Sequence, residues 1–427
     1  MAASPTAPLP EAAPAWREAV LAQIDRDELV ELTRQLAAFR SFSGEERALA
    51  EWVAAWLARE GFDAALPEAE PGRPNAVGIL HGEGAGPSLM FNGHLDIDPV
   101  RADYPGDPWA CYVENGRLYG HGIQNMKAGV AAMLGAAAAV RRAGVPLRGR
   151  LIVAGVVGEL QGGVGTVALL DAGLVPDYAI VPEPTWLNIR TVHAGWWQLL
   201  IHVRGRSGWI GSMHLQKTVN AVTQMARVIA ALETVEFRYT PVPELPGLPR
   251  LLIGGIIGGL GDSYQLWRPS MVPDRCTIAL DVRLVPGQTI EAAVADIERV
   301  LDRLRAADPD LEVWVELPPA TYRPPWRANK HGIPALHTPA DAPLVQVTRR
   351  NHCAVLGREP EHIGAVLPNS YAGADSGHLA AAGASVINYG PSGPVMVPSW
   401  VEIDHLEACA RVLALTAVDL CGPQRAG

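Results

Sequence analysis

No stretch of the chain holds about eighteen consecutive apolar residues, so no segment is suited to cross a bilayer as a helix. Residues 1–15 show no positive region followed by an apolar core, so the expectation there is a floppy Ala- and Pro-rich leader rather than a secretory signal. Cysteine is scarce. Cys111, Cys276, Cys353, Cys409 and Cys421 are scattered, odd in number and never spaced as a metal knuckle, so the expectation is reduced thiols in a cytoplasmic protein. Positive charge is also short, with 35 Lys and Arg against 45 Asp and Glu and a net charge of −10. That balance speaks against nucleic acid or an anionic membrane as partner and leaves a small-molecule substrate, which senses only its own site.

What is present is a globular chain, 48% hydrophobic and 19% charged, with 43 Gly and 36 Pro to make tight turns. At 427 residues it is too long for one ordinary core. Apolar spacing predicts a helix from Asp27 to Phe39, and Ser43 with Glu46 reads as a capping box opening a second helix to about Arg59. Strands are expected at Ala76 to His81, Ser88 to Phe91, Leu151 to Val157 and Tyr178 to Val181, with an alanine-rich helix closing near Gly144. Strands alternating with helices argue a parallel or mixed sheet covered on both faces. Residues 196–316 then read β-α-β-β-α-β, a compact insert, and a Pro- and Trp-containing linker (Pro318 to Pro334) leads back to αβ patterning that completes the first domain. The expected organisation is a leader over 1–15, a catalytic domain in two parts over 16–195 and 317–427, and an inserted domain over 196–316.

The stretch Val156-Val157-Gly158-Glu159-Leu160-Gln161-Gly162-Gly163 runs an apolar strand into an acid and a glycine-rich turn. A carboxylate at the carboxyl end of a buried strand stands where open α/β sheets place their chemistry, although an acid opening a surface turn is the plain alternative. Further motifs follow the same logic: Gly93-His94-Leu95-Asp96, Gly120 to Lys127, Pro182-Glu183-Pro184-Thr185, Asp281-Val282-Arg283 with Pro286-Gly287, and Gly390-Pro391. In this order and over nearly the whole chain, they resemble the co-catalytic zinc peptidase family of aminoacylase, acetylornithine deacetylase, succinyl-diaminopimelate desuccinylase and glutamate carboxypeptidase (clan MH). The resemblance implies a zinc-aminopeptidase-like three-layer αβα catalytic domain with an inserted ferredoxin-like α+β lid that forms a homodimer.

The family's chemistry uses two bridged zinc ions that polarise a water. By resemblance, His94 and Glu183 match the first-metal ligands, Asp96 the acid that orients the histidine, Glu159 the general base, and Arg283 the lid arginine, whose planar fork suits a substrate carboxylate. A lid salt bridge is the alternative for Arg283, and a structural hydrogen-bonded pair the alternative for His94 with Asp96. Three positions depart together. The bridging Asp is Asn125, the second-metal carboxylate is Leu160, and the C-terminal histidine is replaced near Met396. In the lid, Trp209 stands where the family has an oxyanion-stabilising histidine. Asn125, Lys127, Trp209 and Asp375 are therefore read as substrate contacts, with local charge balance as the alternative for Lys127 and core packing for Trp209. His378 is a further candidate. The expectation is an enzyme on a small carboxylate-bearing, amino-acid-derived or amide-containing substrate, with Glu159 as acid/base, no cofactor or at most one Zn, and room for a non-hydrolytic biosynthetic step such as proton transfer, cyclisation or elimination. The alternatives are a single-zinc deacylase and a non-catalytic binding protein.

Overall fold

The structure, a computed structural model, describes residues 10–266, 268–321, 330–393 and 397–424. The chain divides into two compact units, Met1–His193 with Leu336–Gly427, and Ala194–Ala335. Residues 1–9 of the expected leader lie outside the described residues. The rest is ordered structure rather than leader: Ala12 is buried, its N–H donates to the buried Asp419 carboxylate at 2.9 Å, and a helix begins at Pro14. The expected linker also counts with the insert, as far as it is described. Trp196 and Ile333 exchange backbone hydrogen bonds of 2.8 and 2.7 Å, which ties its far end into the second unit.

The first unit is built on a nine-stranded mixed sheet. Its centre is four parallel strands in the order Arg150–Val156, Leu89–His94, Tyr178–Val181 and Ser385–Asn388. Every residue of Leu89–His94 is buried, as a central strand covered on both faces requires. The antiparallel strand Ala76–His81 flanks this centre on one side and Ile189–His193 on the other. The alanine-rich helix Ala128–Arg142 can lie close because Gly129 faces the Pro182 carbonyl, where a Cβ would sit 2.0 Å from the oxygen. It packs against Ile403–Cys421, which is almost wholly buried.

The second unit is a four-stranded antiparallel sheet in the order Arg250–Gly259, Arg275–Leu284, Gly195–Arg204, Glu312–Glu316, with helices Ala221–Leu232 and Ile290–Ala307 packed on it. Both helices start on side-chain caps, Asn220 accepting from Val222 and Thr223 N–H and Thr289 from Ala292 N–H. This is the β-α-β-β-α-β arrangement expected of the insert.

One expected cap is absent. The helix Arg47–Arg59 has no side-chain cap, because the Ser43 hydroxyl donates to Asp96 and the Glu46 carboxylate takes the Arg73 guanidinium. A buried acid and a buried guanidinium each need partners more than a helix end at the surface does.

Candidate functional site

The site lies where the parallel strands end. Glu159 follows Arg150–Val156, His94 closes Leu89–His94, Glu183 follows Tyr178–Val181, and Asn388 closes Ser385–Asn388. The turn carrying Glu159 bends through Gly158, Gly162 and Gly163, whose φ values of 69°, 91° and 80° are in the left-handed region that favours glycine. Its free N–H groups need acceptors. Asp96 supplies them, Oδ1 accepting from Glu159 N–H and Oδ2 from Leu160 N–H, both at 3.1 Å, with the Ser43 hydroxyl added at 2.9 Å. Arg73 braces the same turn by donating to Gln161 Oε1 at 2.8 Å. His378 Nε2 meets the Gly162 carbonyl at 2.9 Å.

This placement corrects the role expected of Asp96. Its carboxylate is 3.7 Å from His94 Nδ1, and it is the Asp96 main-chain carbonyl, at 2.8 Å, that takes that proton. Asp96 orients the histidine through its backbone and the Glu159 turn through its side chain. On the other edge of the ring, His94 Nε2 donates to Asn125 Oδ1 at 3.0 Å and stands 3.7 Å from Glu183 Oε1. Nδ1 thus faces a carbonyl oxygen that can only accept, and Nε2 faces the Asn125 side chain and Glu183. Burial alone would lower its pKa, but Glu183, Glu159, Asp96 and Asp375 outweigh that and raise it to about 10.

Glu159 is buried, and burial pushes its pKa well above the usual carboxylate range, with His94 opposing and Glu183 and Asp375 adding to the rise. Asp375 is pushed up to about 7, again first by burial. It lies against the glycine turn, and its Oδ1 is buried without a hydrogen-bond partner. The structure thus gathers His94, Asp96, Asn125, Glu159, Glu183 and Asp375 at one edge of the sheet.

Other expected contacts fall elsewhere. Lys127 is buried with Nζ donating to the Phe39 carbonyl, and burial lowers its pKa to about 7, so it serves local packing rather than a substrate. Arg283 lies in the second unit with its fork on Asp281, at 2.6 and 2.9 Å, and its guanidinium over the Trp196 ring; this is the lid salt bridge. Trp209, also in the second unit, is 51% exposed rather than core. Met396 lies outside the described residues.

The donors present do not fit a two-metal centre. The positions that the resemblance assigns to the bridging and second-metal carboxylates carry an amide and an alkyl chain, and His94 Nε2 is bonded to that amide. Among the described residues no three His, Cys, Asp or Glu side chains converge as a metal site. His94, Glu183 and the Asn125 carbonyl are the atoms that would hold a single ion.

Sequence reasoning missed Ser43, Arg73, Arg190 and Asn388. Arg190 is buried in Ile189–His193; a lone charge inside a short, otherwise uncharged strand was the available sign. The others look like ordinary loop or strand-end residues until the fold places them.

An αβα sheet with acids and a histidine at its parallel strand ends, joined to a ferredoxin-like insert, defines a peptidase or amidohydrolase of the zinc-aminopeptidase type. The model of peptidase family M20/M25/M40 matches residues 90–419, and the chain belongs to that family. It is 27% identical over 403 residues to the N-formyl-4-amino-5-aminomethyl-2-methylpyrimidine deformylase of Bacillus subtilis, covering 86% of this chain and 87% of that one. It is 26% identical over 388 residues to the acetylornithine deacetylase of Myxococcus xanthus, covering 88% and 92%. Among solved structures it is similar in fold to a dinuclear metal-binding M20 peptidase of Bacillus subtilis, with a TM-score of 0.63 at 14% identity over 92% of this chain and 97% of that one. No helix among the described residues is long and apolar enough to cross a membrane.

Proposed function

We propose that this enzyme acts on a small, carboxylate-bearing molecule with an N-acyl or other amide group, using Glu159 as acid/base and at most one metal ion. The observation that carries the reading is the exchange at Asn125: His94 Nε2 donates to its carbonyl, where the family's pattern has a bridging carboxylate. The acids around His94 raise its proton affinity, so the ring can contribute positive charge beside Glu183 where two-metal relatives hold cations. Glu159, buried and rich in proton affinity, is suited to move a substrate proton directly. The names of the relatives, a deformylase and a deacetylase, support an acyl amide as the reacting group. The step itself is hydrolysis or a proton transfer on the same frame.

The test is elemental analysis of the purified protein together with a panel of N-formyl, N-acetyl and N-succinyl amino acids assayed with and without chelator. Turnover that survives chelation, with less than one metal per chain, is the expected result. Two tightly held zinc ions would overturn the reading, and one essential zinc would favour a deacylase using His94 and Glu183.

A homodimer through the insert belongs to the same proposal. The edge strand Arg250–Gly259 exposes Leu252, Ile256 and Ile257, an apolar edge strand that can pair with a second copy. Light scattering should report a dimer, and Ile257→Arg a monomer.

A further inference from the structure

Arg190 is 3% exposed, on the strand Ile189–His193. Its Nη1 donates to the Asn369 carbonyl at 2.9 Å, and the Asn369 side chain donates in turn to the carbonyl of Pro184, the residue after Glu183. Asn369 therefore ties the guanidinium to the Glu183 segment. That bond goes to a neutral carbonyl. Among the described residues Arg190 makes no ion pair, and its Nε is buried with no acceptor. A buried cation left this way is costly unless something else completes it.

The neighbouring strand supplies a second donor in the same condition. Asn388 stands directly opposite Arg190 in the antiparallel pair, so the two side chains leave the same face of the sheet. A relay sets the orientation of its amide: His193 Nε2 meets Ser376 Oγ at 2.9 Å, and Ser376 Oγ donates to Asn388 Oδ1 at 3.0 Å. With Oδ1 engaged, Nδ2 is turned away from Ser376, and it too is buried without a partner. Two fully buried donors, one of them charged, thus stand side by side at the strand ends that carry the site. Burial lowers the Arg190 pKa, with the charges of Glu183 and Glu159 opposing, and among the described residues neither acid is ion-paired to it.

We propose that Arg190 and Asn388 form a carboxylate-binding subsite of the first unit, in which a substrate carboxylate accepts one hydrogen bond from Arg190 Nε–H and one from Asn388 Nδ2–H. A guanidinium edge next to an amide N–H matches the two oxygens of a carboxylate, and the anion balances the buried charge. Free Arg190 is then a preorganised anchor that needs no help from the insert, where the Arg283 fork is on Asp281. The link from this subsite to turnover rests on the reading of Glu159 above, whereas capture of a carboxylate does not.

The experiment uses the full chain with acetate and succinate as probes and acetamide as the neutral control. It reads the Arg190 Nε–H resonance by NMR and the melting temperature. Acetate and succinate should move the Nε–H resonance and raise the melting temperature, and acetamide should do neither. Arg190→Gln should weaken carboxylate binding by roughly tenfold or more, the worth of one charge-assisted hydrogen bond. Asn388→Asp places a carboxylate of the protein's own beside Arg190, so it should abolish binding while the variant stays at least as stable as the wild type. If Arg190→Gln fails to fold, the Nε–H resonance and Asn388→Asp decide. An unmoved resonance, wild-type binding in Asn388→Asp, or equal binding of acetamide would overturn the subsite. Glu159→Gln protein that still binds succinate but also turns over substrate normally would remove the reaction reading and leave the subsite standing.

Discussion

The two sides of the site have had opposite fates. On one, the resemblance matches His94, Asp96, Glu159 and Glu183 to the residue types of the family's motifs; on the other, it sets Asn125 and Leu160 where carboxylates are expected. The kept side has structural duties. Asp96 accepts from Glu159 N–H, Leu160 N–H and the Ser43 hydroxyl, so losing it would undo a turn as well as a catalyst's orientation. Leu160 needs only its backbone N–H to hold its place, and Asn125 needs only a carbonyl oxygen to satisfy His94. Residues that serve the fold only through a backbone N–H or one carbonyl oxygen can change without cost to it. Those that hold the scaffold cannot.

The largest expected effect tests whether the kept side still works. Glu159→Gln preserves size and hydrogen bonding but cannot take a proton, so turnover should fall on the order of 10²–10⁴-fold. Ligand binding should stay within about tenfold. Normal turnover in this variant would make Glu159 a turn residue and favour a binding protein. Next comes the scaffold duty itself. Asp96→Ala leaves the buried Glu159 N–H and the part-buried Leu160 N–H without their acceptor, the buried one costing about 1–3 kcal/mol, and denaturant titration should show the loss. A loss below about 0.5 kcal/mol, the size of an ordinary surface change, would break the comparison.

The changed side predicts a smaller response. Asn125→Asp with Leu160→Glu returns two anionic ligands, so zinc affinity should rise measurably in calorimetric titration with stability nearly unaltered, yet hydrolysis should not recover. Full deacylase activity in that double variant would show that the expected third replacement, near Met396, does not matter. The smallest effect concerns another buried histidine. His352 bonds to the Tyr389 hydroxyl at 2.9 Å, and burial first, then Arg358, lowers its pKa to about 4, opposite to His94 among its acids. The unfolded chain takes up this proton near pH 6.5 and the folded chain only near 4. Stability is therefore intact above about pH 6.5 and is lost as pH falls toward 4. His352→Gln should flatten that limb of the stability curve, and an unchanged limb would assign it to other groups.

Much of this was legible before the fold was known, for physical reasons. Tyr178 to Val181 and Ala76 to His81 were recognisable from their apolar runs alone, and they are strands with those bounds. His94, Glu159 and Glu183 were recognisable because strand-end motifs carry their position with them. Other features were hidden because they depend on pairing across long separations. Nothing local tells that Ser43 and Glu46 are drawn off to Asp96 and Arg73 instead of capping a helix, and nothing near Arg190 names Asn388 as its opposite. Arg283 was misleading for the converse reason, since its partner Asp281 is two residues away on the same strand.

The interruption of the first unit by Ala194–Ala335 also sets an order of assembly. The insert is continuous in sequence and owns its core, so it can fold as soon as it has left the ribosome. The first unit cannot. Its sheet lacks Ser385–Asn388, and its site lacks Asp375 and Asn388, until the last tenth or so of the chain has been made, and Ala12 waits longer still for Asp419. A nascent chain halted before Ser385 therefore holds a complete insert and a first unit whose strand Tyr178–Val181 still lacks one of its neighbours.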